Sequence, residues 1–236
     1  MENYISVNKV NEEVDFVNLA ITTKNIDSKN IEDLLNTFSK EDFNLENLTS
    51  NIQIHSDIVN FIDKSNIGSK NEGDALITNV KGVPLLVFTA DCVPIAIIDK
   101  NNKAIGLVHA GWRGTYSQIA KNTIELMKKK YNTDAKDLMC VIGPSIGSCC
   151  YEVSKDLIEK FNTILTNCKE KFYIIKEGKY YLDLWKINEY ILKTCGVKEN
   201  NIINLKICTS CNSDNFHSYR IHEKTDKRIG MILQIK

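Results

Sequence analysis

The chain has 236 residues, and its 30 Lys and Arg side chains are balanced by 30 Asp and Glu, which gives a formal net charge of zero. That balance argues against the basic surface of a nucleic-acid-binding protein, and no apolar run reaches the roughly 18 residues that would cross a membrane. The eight cysteines are expected to be free thiols or metal ligands in a cytoplasmic protein. The N-terminus lacks the pattern of an export signal, and a chain of this length needs no disulfides for stability.

The residues before position 85 predict one strand, one helix and then short strands and turns. Alternating apolar and polar residues around His55 indicate a strand or hairpin, and Gly82 and Pro84 mark a turn before a long apolar stretch. The predicted elements are, in order, a strand over 14–22, a helix over 30–39, the strand or hairpin over 51–61, a polar loop over 65–73 and a short strand over 74–78.

Two apolar runs between residues 85 and 114 are separated by a polar turn at 99–103, a pattern that predicts an antiparallel hairpin. Asp91 and Cys92 begin the first strand, and His109 ends the second. A two-residue turn places Cys92 opposite His109, whereas a four-residue turn makes them diagonal neighbours on one face, with Cβ atoms about 7–8 Å apart. Either arrangement lets a thiolate and an imidazole share one zinc ion, and an odd turn would not. The alternative for each residue alone is structural: a buried small side chain for Cys92 and a hydrogen-bonded strand end for His109.

The segment Ala110–Gly114 adds an anion-binding feature beside that pair. It precedes a run with helical periodicity that predicts a helix from about Arg113 to about Lys130. Free N–H groups at a helix start bind anions, and the guanidinium of Arg113 suits phosphate or carboxylate. A cysteine, a histidine and an anion site at adjacent strand ends indicate a reaction centre.

The second half of the chain alternates strands and helices and carries two further cysteine pairs. Cys149 and Cys150 are adjacent, which makes joint binding of one metal unfavourable, and they are interpreted as packing residues beside the site. Cys208 and Cys211 have Cys-x-x-Cys spacing without a second such pair, a weak signal for zinc or redox chemistry. The predicted elements are a strand over 138–142, a loop over 143–153, a helix over 154–163, a strand over 172–175, a helix from Leu182 to about Thr194 with Gly196 as its C-cap, and a strand over 230–235.

Six motifs in this order resemble one family. They are Gln53-Ile54-His55, Thr89–Pro94, His109–Gly114, Ile142-Gly143-Pro144 with Cys149–Val153, Leu182–Trp185, and Cys208-Thr209-x-Cys211 with Ser218-Tyr219-Arg220. The sequence is similar here to the laccase-domain family, labelled polyphenol oxidoreductases and understood as zinc-containing purine nucleoside phosphorylases. The resemblance implies an α+β fold, a single-domain α/β/β/α sandwich with mixed, largely antiparallel sheets over 1–236, with residues 1–50 matching the family poorly. It also implies one zinc ion per chain, held by His55, Cys92 and His109.

The family's reaction is phosphorolysis of adenosine, inosine, guanosine or methylthioadenosine, and some members also deaminate adenosine. In that chemistry the expected catalytic residues are Cys92, His109, Asp91 and Arg113, with Asp91 either orienting a ligand or moving a proton, or acting only as a structural support. The expected substrate contacts are Arg113, Gly114, Tyr151, Phe216 and Arg220, the arginines for phosphate and an aromatic ring for the purine. The implied partners are purine nucleosides and phosphate, with no nucleic acid or membrane, and the chain is expected to be a monomer or weak homodimer.

Three other functions compete with this prediction. Cys92 with His109 as its base would suit an amidase-like enzyme that edits cell-wall peptides. Copper in place of zinc would suit a polyphenol oxidase, although no further histidine cluster is present for a multicopper set. A zinc-stabilised binding module is disfavoured, because three ligands leave the metal open whereas structural sites usually have four.

Overall fold

The computed structural model describes residues 2–38 and 43–236, and within these ranges fourteen strands form three sheets. In chain order the strands are β1 (Tyr4–Ser6), β2 (Val17–Thr22), β3 (Thr49–Ser50), β4 (Val59–Phe61), β5 (Ala75–Thr78), β6 (Leu85–Thr89), β7 (Val93–Asp99), β8 (Ala104–Ala110), β9 (Leu138–Ile142), β10 (Glu152–Val153), β11 (Tyr173–Lys176), β12 (Lys179–Leu182), β13 (Ile202–Asn204) and β14 (Ile229–Ile235).

Six α-helices accompany the strands in the described ranges. They are α1 (Asn8–Glu13), α2 (Ile31–Phe38), α3 (Trp112–Tyr116), α4 (Ile119–Tyr131), α5 (Lys155–Asn162) and α6 (Leu184–Thr194). Side-chain caps define two of the helix starts: Ser154 accepts a hydrogen bond from the backbone N–H of Leu157, and Asp183 accepts one from Lys186. Among residues 2–38 and 43–236, no helix combines the length and the apolar character that a membrane crossing requires.

The sheets are mixed and mostly antiparallel. One has five strands in the order β1-β2-β14-β6-β3, one has six in the order β13-β9-β7-β8-β5-β4, and the smallest has three in the order β10-β12-β11. The parallel pairs are β3 with β6, β4 with β5, and β13 with β9. This architecture confirms the α+β class.

The two large sheets pack face to face, and helices cover their outer faces. Along β7, Ala96 and Ile98 belong to the apolar cluster shared with the five-stranded sheet, while Ile95 and Ile97 belong to the cluster shared with α4 and α6. Both faces are therefore buried, which explains why this strand reads as a continuous apolar run rather than an alternating one. On the far side, Leu34 and Phe38 of α2 pack on Ala20, Leu86 and Ile232 of the five-stranded sheet. The layers are thus α/β/β/α.

Three predicted elements differ from the structure. Of the strand or hairpin predicted over 51–61, Val59–Phe61 is a strand. The residues around His55 form a loop, and its backbone N–H groups bond to the side chain of Asp74 rather than to a neighbouring strand. The helix predicted from Arg113 to Lys130 is broken into α3 and α4 because Gln118 adopts a left-handed conformation with φ of 58°. Ser39, at the end of the predicted helix over 30–39, lies outside the described residues.

Candidate metal centre

The hairpin of β7 and β8 sets the relation between Cys92 and His109. Asp99 pairs with Ala104, so the turn has four residues, and Pro94 pairs with His109. Continuing the register places Cys92 opposite Gly111, one step before the strand, and diagonal to His109 on the same face. Side-chain contacts stabilise the turn, since Asp99 Oδ1 accepts hydrogen bonds from the backbone N–H groups of Asn101 and Asn102 at 3.0 Å. The even turn length thus brings the thiol and the imidazole to one side.

Asp74 orients the imidazole of His109. The register of β5 with β8 pairs Ala75 with Val108 and therefore brings Asp74, fully buried, opposite His109. Its Oδ1 lies 2.8 Å from His109 Nδ1. Since an ionised carboxylate can only accept, Nδ1 donates and Nε2 remains the ligand atom. A carboxylate behind a histidine is the usual arrangement that fixes a metal-binding imidazole.

The same carboxylate holds the loop that carries His55. Asp74 accepts hydrogen bonds from the backbone N–H groups of Ile54 (3.2 Å), His55 (3.0 Å) and Ser56 (2.6 Å), and from the hydroxyl of Ser56 (2.7 Å). Gln53 ties the loop to β6, because its amide exchanges two hydrogen bonds with the backbone of Phe88. These contacts support the left-handed backbone of His55, with φ of 59°. One buried side chain therefore positions both histidines.

The sequence analysis gave Asp74 no role, although it placed the residue at the start of a predicted strand. A signal was present: an acidic residue directly before an apolar strand that pairs with the strand ending in His109. The pairing of β5 with β8 is a long-range choice, so the signal becomes readable only once that register is known.

The three predicted ligands converge on one point. His55 Nε2 and Cys92 Sγ are 3.9 Å apart, and one donor atom from each of His55, Cys92 and His109 lies within 4.8 Å of the other two. A tetrahedral zinc ion with bonds of about 2.0 Å to nitrogen and 2.3 Å to sulfur holds those two atoms about 3.5 Å apart, so a shift of a few tenths of an ångström would bring them to ligand distance. Two imidazoles and a thiolate fit zinc with a fourth position left open, and they also fit copper.

Gly111 allows this close approach. A Cβ atom at this position would lie 3.0 Å from Cys92 Sγ and 3.2 Å from His55 Cδ2. Any side chain there would push the two ligands apart. Gly114, two residues into α3, is buried, and a Cβ there would meet the carbonyl oxygen of Ser56 at 3.2 Å. Both glycines are thus required where the start of α3 packs on the His55 loop.

The charges of the site are strongly coupled. Burial raises the pKa of the Cys92 thiol, but the charge of His109 and hydrogen bonds from both histidines outweigh burial and bring it to about 6. Burial lowers the pKa of His109, and the Cys92 thiolate and Asp74 raise it to about 9. Burial also raises the pKa of Asp74, yet hydrogen bonds from His109 and Ser56 hold it at about 2. A thiolate is therefore available at neutral pH, and a metal ion would displace the proton from His109.

Tyr151 lies within electrostatic range of Cys92 and of two arginines. Burial raises the pKa of its hydroxyl to about 12, the negative charges of Cys92 and Asp91 add to that effect, and the charges of Arg220 and Arg113 oppose it. The guanidinium of Arg220 lies 5.5 Å from the centre of the Tyr151 ring and donates to the carbonyl of Glu152 at 3.2 Å. Arg113 is exposed and lies 4.6 Å from the centre of the Trp112 ring. Both predicted arginines therefore lie near enough to Tyr151 to act on its hydroxyl.

Two other predicted residues have different surroundings. Phe216 is only 4% exposed, so its ring offers almost no surface for stacking on a purine, contrary to its predicted contact. Both oxygens of Asp91 accept hydrogen bonds, one from the hydroxyl of Thr209 at 2.6 Å and one from the backbone N–H of Arg220 at 2.7 Å. These bonds direct the carboxylate toward the loop before β14 and favour the structural alternative for Asp91.

Comparison with known proteins places the chain among relatives of similar fold. A purine nucleoside phosphorylase of Clostridium acetobutylicum is 38% identical over 192 residues, which cover 80% of this chain and 78% of that protein. One of Bacteroides thetaiotaomicron is 38% identical over 149 residues, 62% of this chain and 55% of that protein. The crystal structure of YlmD from Geobacillus stearothermophilus matches with a TM-score of 0.88 and 27% identity, covering 94% of this chain and 93% of the other.

Coverage differs among the relatives. The chain spans about half the length of the Bacteroides protein and 34% of the length of a mouse relative that is also named a purine nucleoside phosphorylase. The model of one protein family, described as multi-copper polyphenol oxidoreductase laccase, matches residues 9–235, nearly the whole chain. On this match, the chain belongs to the multi-copper polyphenol oxidoreductase laccase family.

Proposed function

We propose that this protein is a zinc-dependent purine nucleoside phosphorylase that cleaves adenosine, inosine, guanosine or methylthioadenosine with phosphate. The observation that carries the proposal is the convergence of His55, Cys92 and His109 within 4.8 Å. It is supported by relatives of that name at 35–38% identity. The substrates are accordingly a purine nucleoside and inorganic phosphate.

The three ligands would hold the zinc ion, and Asp74 would keep the two histidines in place. When bound, zinc supplies a Lewis acid beside the ribose and base. The chain itself makes the site rigid. The loop of His55 is bonded to Asp74 and to β6, and His109 lies near the end of β8, a buried interior strand of the six-stranded sheet. A site held on a sheet keeps its geometry while the glycosidic bond breaks.

Arg113 and Arg220 are the proposed phosphate ligands. Phosphorolysis develops positive charge on the ribose, so the attacking phosphate has to be kept close and correctly aimed. Both guanidinium groups are close enough to Tyr151 to lower the pKa of its hydroxyl. A phosphate bound near both would be held by two positive charges. Backbone N–H groups near Gly114 are a further proposed contact.

Tyr151 is the proposed contact for the nucleoside. Its pKa of about 12 keeps the hydroxyl protonated at neutral pH, so the hydroxyl donates a hydrogen bond to a ribose or phosphate oxygen. Arg220 covers part of one ring face, which leaves the remaining surface of this half-buried ring for a purine. Deamination of adenosine is proposed as a side activity at the same site.

One observation favours a second candidate, a cysteine-dependent amidase-like enzyme. The thiolate of Cys92, the imidazole of His109 and the carboxylate of Asp74 follow one another as nucleophile, base and orienting acid. A thiol with a pKa near 6 next to histidine is typical of nucleophilic cysteines. In this role the substrate would be an amide of a cell-wall peptide.

Incubation of the purified protein with adenosine tests the first proposal. Adenine and ribose 1-phosphate should form only when phosphate is present, and inosine should give hypoxanthine with the same dependence. Product that forms equally well without phosphate would overturn the phosphorylase proposal. Omission of the nucleoside and a Phe216→Leu variant, altered at a buried ring, serve as controls.

The metal content of the purified protein distinguishes the three candidate functions. The phosphorylase proposal expects Cys92→Ser to lose both zinc from this site and turnover, whereas the amidase proposal expects retained zinc and lost turnover. Copper bound in place of zinc, with oxidation of phenols, would favour the third candidate, a polyphenol oxidase. Measurement of zinc and copper in the same purified samples decides among them.

A further inference from the structure

A second group of potential ligands involves four cysteines outside the candidate metal centre. Cys149 and Cys150 lie in the loop after β9, and Cys208 and Cys211 lie in the loop after β13. All four sulfur atoms lie within 4.8 Å of one another. Cys211 Sγ is 3.4 Å from the sulfur of Cys149 and also 3.4 Å from that of Cys150. This arrangement contradicts the expectation that joint binding of one metal by the adjacent pair is unfavourable.

A tight turn explains how neighbouring cysteines face the same point. The backbone N–H groups of Cys150 and Tyr151 both donate to the carbonyl of Gly147 at 3.0 Å. Gly147 itself has no room for a side chain, since a Cβ there would lie 2.8 Å from the Trp185 ring and 3.3 Å from Cys149 Sγ. This turn directs the sulfurs of Cys149 and Cys150 toward Cys211.

We propose that Cys149, Cys150, Cys208 and Cys211 form a structural zinc site with four thiolate ligands. A tetrahedral zinc ion with bonds of about 2.3 Å holds its sulfur ligands about 3.8 Å apart. The sulfurs of this cluster need shifts of only a few tenths of an ångström at the contacts of 3.4 Å. Four soft ligands in a closed arrangement select zinc, and sulfurs this close leave no room for an iron–sulfur cluster between them.

The surroundings of Cys208 suit a thiolate. Cys208 is 6% exposed, and its sulfur accepts a hydrogen bond from the backbone N–H of Gly147 at 3.3 Å. The backbone N–H of Cys211 also donates to it. Amide donors around a ligating sulfur orient the ligand and stabilise its charge. The exposed sulfurs of Cys149 and Cys211 give a metal ion access from solvent.

The zinc ion would fix two loops that approach the candidate metal centre. Tyr151 directly follows Cys150, and Thr209 lies between Cys208 and Cys211 and donates to Asp91, the neighbour of Cys92. The backbone of Arg220 donates to the same carboxylate. A cross-link among the four sulfurs therefore keeps Tyr151 and Arg220 in place. This positioning role rests on the proposed function, whereas the zinc site itself does not.

Zinc content of the purified full-length protein, prepared in reducing buffer without an affinity tag, tests the proposal. Wild type should hold about two zinc ions per chain, and Cys211→Ser about one. Cys149→Ser, altered at a second exposed position, should repeat this loss if Cys211→Ser folds poorly. Cys168→Ser, in a half-buried cysteine outside the cluster, should keep the wild-type content. Circular dichroism checks that each variant is folded.

A variant of the candidate metal centre distinguishes its zinc ion from that of the four-cysteine cluster. Cys92→Ser should also lose one zinc ion, and its remaining ion, exchanged for cobalt, should show the intense visible bands of a tetrahedral four-thiolate complex. If Cys92→Ser keeps the full wild-type content while Cys211→Ser loses zinc, the four-thiolate site stands and the proposed function loses its metal. Equal zinc in wild type and Cys211→Ser, or iron in place of zinc, would overturn the four-thiolate site.

Discussion

The His55–Cys92–His109 centre and the four-cysteine cluster are built in opposite ways. The first has mixed nitrogen and sulfur donors, two of them at the ends of paired strands, and a buried carboxylate behind both histidines. The second has four sulfurs carried entirely by loops, two of them exposed, with amide N–H groups as their support. Three ligands, two of them at strand ends, leave a metal open for chemistry, while four ligands on loops close around it. The contrast predicts catalysis at one site and cross-linking at the other.

Removal of the Cys92 sulfur is expected to have the largest effect and is the strongest test of this contrast. Cys92→Ser should lower kcat/KM for adenosine phosphorolysis by about 1000-fold or more, because loss of a metal's several kcal/mol of transition-state stabilisation has that effect. Steady-state kinetics with zinc analysis measure it. If Cys211→Ser lowered kcat/KM as far as Cys92→Ser does, the division of roles between the two sites would be wrong.

A smaller change tests how closely the open site is packed. Gly111→Ala would place a methyl group 3.0 Å from Cys92 Sγ and 3.2 Å from His55 Cδ2. The ligands would have to move, and a displacement of this kind costs up to about 100-fold in kcat/KM. Gly106→Ala, which crowds Thr123 Cγ2 at 3.1 Å in the core, is the matched control.

The control should lower the melting temperature and leave zinc content and KM as in wild type. Equal losses of activity in Gly106→Ala and Gly111→Ala would mean that general destabilisation, rather than ligand displacement, explains the effect.

Substitution of Asp74 tests whether its carboxylate holds the two histidines in place. Asp74→Asn should weaken zinc binding about 10- to 100-fold, the usual effect of losing such a partner. Zinc affinity by competition with a chromogenic chelator measures it. Asp99→Asn removes a carboxylate that is equally buried, at the opposite end of β7, and should leave zinc affinity unchanged.

The effect of Asp74→Asn on the free energy of unfolding should depend on pH. The pKa of Asp74 is lowered from 3.8 to about 2 in the folded protein, so its contribution to stability is present above about pH 4 and is lost as the pH falls through 2. Asp74→Asn should thus be less stable than wild type by about 2 kcal/mol at neutral pH, with a difference that shrinks in acid. A difference that stays constant down to pH 2 in urea denaturation would contradict this.

Loss of the hydrogen bond between Thr209 and Asp91, which links the two sites, should have the smallest effect on activity. Thr209→Val removes the donor to Asp91 Oδ1 and leaves a buried carboxylate oxygen without that partner, at a cost of about 1–3 kcal/mol. We expect kcat/KM to fall about threefold to tenfold through KM for phosphate, because Arg220 shares that carboxylate. Thr78→Val, which loses a buried bond to the carbonyl of Ile62 far from the site, should destabilise without changing KM.

The parts of the fold that depend on local pattern were predictable from the sequence. The strand Leu138–Ile142 has its predicted bounds, and β2, α5, α6 and β14 lie within one to three residues of theirs. The failure around His55 has a clear cause: the chain there has the alternation of a strand, yet its N–H groups bond to the Asp74 side chain instead of a neighbouring strand. The predicted helix is broken at Gln118, whose left-handed backbone separates α3 from α4.

The sequence alone determined that Cys92 and His109 share a face if the turn between their strands has an even length, and that an odd turn would separate them. An even turn puts them on one face whichever even length it has, and the observed turn of four residues is one of the two lengths considered. Only the tertiary structure decided that Asp74 holds both histidines and that the four cysteines meet, because these contacts join loops from strands that pair across long separations in sequence. Hairpin geometry follows from counting residues along a chain, whereas the meeting of distant loops depends on how the two sheets pack.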